Sequence, residues 1–298
     1  MPTQPTCLPG GPRYTGAMGD KNEPAAWPAQ STDPVVEVRD LVASYDEQCV
    51  LNGVDMTVHR GEVVVILGGS GSGKSTLLKC ILGIQRPDAG TVRVLGEDIW
   101  GISDLQREEI YKKIGIVYQG GALFGSLTVA ENVGLPLHEH TKLADKIINI
   151  TVRMKLGLVG LGGFENRLPS QLSGGQAKRV AFARAIAMDP KVLFCDEPSA
   201  GLDPRISRGI DDLICNLNQA FNMAVLVVTH EMESVKVIAD RIVMLVPEAG
   251  GAKVAFRGSY DEMARCEDPN VREFVTREPL KGPRAEAREI LRQLVGEE

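Results

Sequence analysis

The chain has 298 residues, of which 43% are hydrophobic and 24% charged, proportions typical of a globular protein with a substantial core. Its net charge of −6 disfavours a broad nucleic-acid interface, so nucleic acid is not an expected partner. No apolar run approaches the roughly 20 residues that span a bilayer, no secretory signal is recognisable, and the six cysteines lack CxxC spacing, so we expect a cytosolic protein with reduced thiols.

The N-terminal segment differs in composition from the rest of the chain. Residues 1–34 hold seven of the 17 prolines and no apolar periodicity, which predicts a flexible tail. From Val35 onward, short β-branched runs alternate with helical patterns, which predicts an α/β fold with a mostly parallel sheet. The predicted strands cover residues 35–42, 63–66, 114–117, 192–195, 224–228 and 242–246.

A glycine-rich loop follows the second predicted strand. It fits the pattern GxxxxGK[ST], and a helical run begins directly after it. Glycines let such a loop turn its N–H groups toward phosphates, and the helix N-terminus adds a favourable dipole. We therefore expect Lys74 to reach the β- and γ-phosphates of a nucleotide and Ser75 to ligate Mg²⁺. The predicted ATP-binding residues of this loop are Gly68, Gly69, Ser70, Gly71, Ser72, Gly73, Lys74, Ser75 and Thr76.

The middle of the chain is helical in pattern. Strand patterns are absent from about residue 128 to 188, and we expect a helical subdomain inserted in the α/β core. Within it, LSGGQ (residues 172–176) precedes a helical run, so this second glycine-rich loop also suits a phosphate at a helix N-terminus. Ser173 is a suitable N-cap, and capping alone would be an ordinary explanation of the motif.

Two adjacent carboxylates follow the apolar stretch 192–195. Neighbouring residues on a strand point to opposite sides, so Asp196 and Glu197 can have different roles. Asp196 suits indirect control of Mg²⁺, whereas Glu197 suits the base that polarises an attacking water. The alternative is a solvated pair that caps the next segment.

The C-terminal residues 259–298 are predicted to form a helical extension. Its last stretch, 284–295, would carry four apolar residues in one stripe if helical. We expect that helix to dock on a second protomer or on an accessory subunit.

Three motifs, GGSGSGKS, LSGGQ and LFCDEP, have the order and spacing of ABC-type ATPases, and the resemblance covers about residues 35–256. It implies a P-loop ABC-type ATPase core with an inserted helical subdomain (about 128–188) and a small β subdomain. The domains would be a tail (1–34), a nucleotide-binding domain (35–258) and the extension (259–298). ATP and Mg²⁺ are the implied cofactors, and ATP hydrolysis is the implied activity.

The same resemblance implies roles for single residues. Tyr45 matches the aromatic that stacks on adenine, Gln119 the glutamine that contacts Mg²⁺ and the attacking water, and His230 the histidine near the γ-phosphate. Alone, each would be an ordinary strand aromatic, strand-end polar residue or exposed histidine. The implied catalytic residues are Glu197, His230 and Gln119, and the implied Mg²⁺ residues are Ser75, Gln119 and Asp196.

The family arrangement further implies that two copies of the chain enclose two ATP molecules. The loop 199–203 matches the segment that crosses the dimer interface, and the LSGGQ loop completes the site of the second copy. The residues implied to bind ATP in trans are Ser173, Gly174, Gly175, Gln176 and Asp203.

The segment 119–137 is similar to the ATPases of lipid-asymmetry (Mla or MCE-associated) transporters, in its wording QGGALF followed by NVGLPL. This resemblance implies phospholipid transport, permease subunits, an MCE-domain protein and a small accessory subunit as partners, and a position on the cytoplasmic side of the inner membrane. Residues 122–124 could also simply pack the core of the helical subdomain.

Two rival functions share the nucleotide motifs. One is the ATPase of a polar-solute importer, which a neighbouring gene for a solute-binding protein would favour. The other is a non-transport ABC ATPase of DNA repair or translation, but such proteins usually carry zinc motifs, long coiled coils or two fused cassettes. A binding module without catalysis is disfavoured because Glu197 and His230 are both present.

Overall fold

The computed structural model describes residues 34–45 and 48–276 of the chain. The predicted tail lies outside the described residues except for Pro34, which opens the first strand. The predicted helix over 284–295 also lies outside them. Across the two described ranges, no helix combines the length and the apolar character that a membrane span requires. Cys49, Cys80, Cys195 and Cys266 are free thiols.

The strands belong to two sheets. Their bounds in chain order are β1 (Pro34–Tyr45), β2 (Gln48–His59), β3 (Val63–Leu67), β4 (Ala89–Val94), β5 (Glu97–Asp98), β6 (Ile114–Val117), β7 (Val192–Asp196), β8 (Ala224–Thr229), β9 (Arg241–Val246) and β10 (Lys253–Gly258). The larger sheet has the order β10-β9-β3-β8-β7-β6, in which all neighbours but β10 and β9 are parallel. The smaller sheet is antiparallel, with the order β2-β1-β4-β5.

The helices cover the larger sheet and fill the predicted helical segment. Their bounds are α1 (Lys74–Ile81), α2 (Asp104–Tyr111), α3 (Val129–His140), α4 (Asp145–Leu158), α5 (Gly174–Ala185), α6 (Pro204–Phe221), α7 (Met232–Ile238), α8 (Tyr260–Ala264) and α9 (Pro269–Thr276), with a short 3₁₀ turn at Pro169–Gln171. Several begin at side-chain caps, as the sequence TVAE at α3 and SGGQ at α5 favour.

Strand β3 is buried on both faces, which explains its unbroken apolar sequence. Val63, Val65 and Leu67 pack into the core that includes helices α3 to α7, whereas Val64 and Ile66 pack into the core shared with α1 and the smaller sheet. The carboxyl ends of β3, β7 and β8 therefore meet at one edge, where the functional residues follow.

The structure confirms the six predicted strands and extends several of them by one to four residues. It adds β2, β4, β5 and β10, which sequence reasoning missed because polar residues and glycine interrupt their apolar positions. Helices α3, α4 and α5 occupy the segment predicted to be helical. Helix α5 also packs closely against β6, since a Cβ on Gly115 would lie 2.4 Å from the carbonyl oxygen of Ala185.

Candidate functional site

The glycine-rich segment Gly68–Gly73, which we call the phosphate loop, joins β3 to α1. Gly73 immediately before α1 has a φ of 84°, and a Cβ at this position would lie 2.6 Å from Cδ2 of Leu51. Both the left-handed backbone and the close packing therefore require glycine. The side chain of Lys74 folds over the loop, and its Nζ donates hydrogen bonds to the carbonyl oxygens of Gly68 and Gly69, each at 2.8 Å.

The charge of Lys74 is set by two opposing effects. Burial lowers the pKa of this ammonium, whereas the nearby carboxylates of Glu197 and Asp196 raise it. The ammonium of Lys74 is thus held by two loop carbonyls and lies close enough to two acids to interact with their charges.

An open cleft of about 460 Å³ lies along this loop. Tyr45 at the end of β1 lines it and is 66% exposed, so its ring is available to a ligand. The predicted loop residues that line the cleft are Gly71, Ser72, Gly73, Lys74, Ser75 and Thr76, while Gly68, Gly69 and Ser70 precede them in the loop. The cleft is thus lined by an aromatic residue on one side and by the phosphate loop on the other.

The two carboxylates lie at the end of β7, but not as the strand alternation predicted. Strand β7 ends at Asp196, and Glu197 has a left-handed backbone with a φ of 45°. The premise that both acids lie on the strand was therefore wrong for Glu197, because the chain has already left the strand there. That the two acids have different roles stays a prediction. Burial, and next the charge of Glu197, raise the pKa of Asp196.

Glu197 is held by the neighbouring strand. Its backbone N–H donates to the carbonyl of Val228, and its carboxylate contacts two residues that end or follow β8. His230 Nδ1 lies 2.7 Å from Oε1, and Thr229 Oγ1 donates to Oε2 at 3.4 Å. An ionised carboxylate only accepts hydrogen bonds, so Nδ1 is the protonated nitrogen in this contact. The structure thus brings together two of the predicted catalytic residues.

Gln119 lies two residues beyond β6, at the start of an irregular segment that we call the Gln119–Thr128 loop. Its side chain is exposed, and its backbone carbonyl accepts a hydrogen bond from Nζ of Lys178 in α5. The same Nζ reaches the carbonyl of Glu197 at 3.4 Å. Lys178 therefore ties the predicted water-positioning segment to the end of β7.

The predicted in-trans residues form a separate surface. Ser173 caps α5 and forms a reciprocal capping box with Gln176, which confirms the N-cap prediction. Gly174 and Gly175 pack against the start of α6, where a Cβ on Gly175 would lie 2.5 Å from Cγ2 of Ile206. Asp203 caps α6 through hydrogen bonds from two backbone N–H groups. Among the described residues, none of these five lines the cleft beside Tyr45.

Sequence reasoning missed the residues that hold the Gln119–Thr128 loop in place. Asn132 in α3 is fully buried; its Oδ1 accepts from Phe124 N, and its Nδ2 donates to the carbonyls of Phe124, Leu127 and Thr128. Arg184 in α5 donates to the carbonyls of Gly121 and Ala122 at 2.8 and 2.7 Å. A polar residue at a core-facing helix position, as at Asn132, is the available sequence signal.

Glu231 was also missed. It follows His230 directly, and its backbone N–H donates to Thr229 Oγ1 at 3.1 Å. Its carboxylate accepts a hydrogen bond from the buried Ser199 at 3.1 Å, in the loop that precedes α6. The loop 199–203 and the segment around His230 are therefore linked within one protomer.

A profile described as ABC transporter matches residues 51–200. The probable ribonucleotide transport ATP-binding protein mkl of Mycobacterium tuberculosis is 37% identical over 240 residues, which are 80% of this chain and 66% of that protein. The chain thus spans just under two thirds of the length of that relative.

A second relative is covered more completely. The intermembrane phospholipid transport system ATP-binding protein MlaF of Escherichia coli is 38% identical over 246 residues, covering 83% of this chain and 90% of that protein. Among solved structures, the dimeric post-hydrolysis state of the ATP-binding cassette MJ0796 bound to ADP and Pi matches with a TM-score of 0.67 and 32% identity. That match covers 75% of this chain and 98% of the cassette.

Proposed function

Because the chain belongs to the ABC transporter family, we propose that it is a transport-coupled ATPase in which two copies enclose two ATP molecules. The observation that carries the proposal is the shared sheet edge, where β3 delivers the phosphate loop while β7 and β8 deliver Glu197 and His230. Adenine stacks on Tyr45, and the phosphate oxygens accept hydrogen bonds from the backbone N–H groups of the loop. Lys74 then exchanges its loop carbonyls for phosphate oxygens.

We assign the base to Glu197. Its carboxylate is 13% exposed and is oriented by His230 and Thr229, which is how a base aimed at one water is held. His230, 59% exposed in its side chain, is free on its other ring nitrogen to face the γ-phosphate. Gln119 positions the water, and Lys178 fixes the backbone of both Gln119 and Glu197.

The residues present fit a Mg²⁺ ion. Burial, and next the charge of Glu197, raise the pKa of Asp196, so a divalent cation nearby would favour its ionised carboxylate. Ser75 is exposed at the start of α1, and a hydroxyl, an amide and a carboxylate are oxygen donors of the kind Mg²⁺ takes. Ser75 and Gln119 would bind it and Asp196 would act through water; the ion neutralises phosphate charge.

The in-trans assignment follows from the separate position of the LSGGQ surface. Its glycine N–H groups and Ser173 open a helix, so they suit a γ-phosphate brought by another protomer. Asp203 and its loop 199–203 lie beside this surface and cross toward the partner copy. Similarity to the dimeric MJ0796 cassette supports this arrangement.

A second groove suits a permease. It has a volume of about 450 Å³ between β6, α3 and α5, and Phe124, Leu135 and Pro136 line it. Phe124 is 52% exposed, so its ring is available to a partner. We propose that a helix of the permease docks here and that its docking shifts the Gln119–Thr128 loop, which changes the position of Gln119 at the cleft.

Docking is tested with Phe124→Glu and Leu135→Glu, because a charge placed against an apolar partner is costly to desolvate. Permease association and permease-stimulated hydrolysis should fall, while ATP binding by the isolated chain stays normal. Leu105→Glu is the matched control, since Leu105 is 78% exposed and lies on α2. Unchanged permease association in both groove variants would contradict the docking site.

We propose phospholipid as the transported class. The sequence of the segment 119–137 and the similarity to MlaF favour this class. An MCE-domain protein and a small accessory subunit are then expected partners. The chain would lie on the cytoplasmic side of the inner membrane, attached through the permease. The mkl relative, named for ribonucleotide transport, favours the rival reading of a polar-solute importer.

The two readings differ in what co-purifies with the intact complex. The phospholipid reading predicts a permease with an MCE-domain partner and bound phospholipid, measured by mass spectrometry of proteins and extracted lipids. Reproducible recovery of a polar-solute permease with its solute-binding protein would refute it and would leave the ATPase assignment unaffected.

A further inference from the structure

Helix α4 carries an apolar stripe on its outer surface. Ile147, Ile150, Met154 and Leu158 are 46%, 48%, 64% and 48% exposed, and Leu143 just before the helix is 45% exposed. At about 100° per residue the four helical side chains fall within a sector about 80° wide and roughly 17 Å long, and Leu143 precedes the helix. We call Ile147, Ile150, Met154 and Leu158 the α4 stripe. Scattered single apolar residues are ordinary on a surface, but four on one line are not.

The stripe does not belong to the core of the subdomain. Helix α4 already buries a separate face, formed by Ile148, Val152, Lys155 and Leu156, against the interior. The helical positions of the stripe lie well over 90° from the centre of that face. The helix is therefore apolar on two sides, and folding of this chain accounts for one of them.

One edge of the stripe is cationic. Lys146 and Arg153 are exposed and lie along one side of the helix beside the apolar residues, and the exposed Lys142 precedes the helix. Lys155 does not contribute to this edge, because it is buried and paired with Asp189. The acid of the helix, Asp145, lies in its first turn, 3.9 Å from His138. The local field beside the stripe is positive although the whole chain is acidic.

The other edge carries small side chains. Ala144 and Thr151 occupy it, and Thr151 Oγ1 donates to the carbonyl of Ile147, so it presents a methyl group outward. Small residues allow a second helix to approach to the 8–10 Å that packed helices require. A bilayer would instead place anionic headgroups along both edges of the stripe. The edge with small side chains has no cation to pair with them.

We propose that the α4 stripe docks an amphipathic helix of a separate protein, whose apolar face is bordered on one side by Asp and Glu residues. The occupant's apolar residues cover the stripe, and its carboxylates pair with Lys146 and Arg153. A second copy of α4 lying antiparallel would bring the same cations together, which disfavours self-pairing. The proposal does not depend on the permease groove, which lies between β6, α3 and α5.

The test uses the full chain, tagged in its own host and carrying a photo-crosslinking amino acid at Ile150. Crosslinked peptides are identified by mass spectrometry. We expect them to map to one helix with an apolar face and an acidic edge. The yield should fall about tenfold or more with Met154→Glu and with Lys146→Glu combined with Arg153→Glu, and should decrease as salt is raised.

A crosslinker at Leu105, also exposed and apolar, is the matched control and should not capture that helix. Thermal unfolding and ATP hydrolysis of the α4 variants should match wild type, because the substituted side chains are exposed. Crosslinks to lipid, to a second copy of this chain or to a segment without acids would overturn the proposal. So would the absence of a crosslink, or a yield that the charge reversal leaves unchanged.

Discussion

The phosphate loop and the Gln119–Thr128 loop both follow strands of the same sheet, but they are held in different ways. The phosphate loop is fixed from within, because Gly73 sets its turn and Lys74 bonds to the carbonyls of Gly68 and Gly69. The Gln119–Thr128 loop is fixed from outside, by Asn132 in α3 and by Lys178 and Arg184 in α5.

This difference determines how each loop can respond to a partner. A loop held by its own residues keeps its shape when neighbouring helices shift, as a ligand site requires. A loop held by side chains of other helices moves when those helices move, as a coupling segment requires. Substitutions in the two regions should therefore have separable effects.

The largest expected effect is on chemistry in the cleft region. Glu197→Gln should lower the ATP turnover number about 100-fold or more, since the amide cannot take a proton from water. ATP binding should persist. Lys74→Ala should instead weaken ATP binding, because it removes the cation that faces the phosphates. Steady-state hydrolysis and fluorescent-nucleotide titration separate the two, and near-normal turnover in Glu197→Gln would contradict the base assignment.

Asn132→Ala should produce the largest loss of stability. The substitution removes four hydrogen bonds to backbone groups of the Gln119–Thr128 loop, although the carbonyls of Phe124 and Thr128 each keep one backbone donor. We expect a loss of about 3 kcal/mol in the free energy of unfolding. Urea denaturation measures it. Nucleotide affinity should change little, because the cleft lies elsewhere; a parallel loss of affinity would show that the two loops are not independent.

Arg184→Met should have a smaller effect in the same loop. It removes two exposed or half-buried hydrogen bonds, and we expect a loss of about 1–2 kcal/mol. Its clearer signature is functional, since a loosened loop should reduce permease-stimulated hydrolysis more than basal hydrolysis. Equal reduction of both rates would argue that Arg184 acts through folding alone.

The last expected effect is confined to a window of pH and lies outside both loops. Burial raises the pKa of Asp211 in α6 from 3.8 to about 6, although Ser234 donates a hydrogen bond to it. The folded chain then binds more protons than the unfolded chain between these values, so this contribution to stability is present at low pH and is lost as pH rises through about 6. Asp211→Asn should flatten the dependence of Tm on pH in this window; an unchanged dependence would contradict the raised pKa.

The contrast between the loops also explains what the sequence could predict. The geometry of GGSGSGKS could be predicted from the motif alone, because its glycines and its lysine act within the loop. The preceding strand was predictable because it is a continuous apolar run. Ser173 was likewise predictable as a cap, since its partner Gln176 is three residues away. Local motifs of this kind can be found without a structure.

Other features depend on contacts between distant parts of the chain. Lys178 reaches across 59 positions to Gln119, and Arg184 across 62 to Ala122, and no local pattern records such pairs. The left-handed backbone of Glu197 escaped prediction because a strand pattern gives no sign of where the strand ends. The α4 stripe escaped because an apolar helix pattern does not distinguish a buried face from an exposed one.

The most direct test of the central claim, that the LSGGQ surface completes the site of a second copy, is sedimentation velocity with and without ATP. We expect Glu197→Gln to be monomeric without nucleotide and dimeric with ATP. Adding Ser173→Glu should leave ATP bound to a chain that stays monomeric, because the new carboxylate faces the partner's γ-phosphate. Dimerisation that survives Ser173→Glu, or loss of ATP binding by the monomer, would contradict the account.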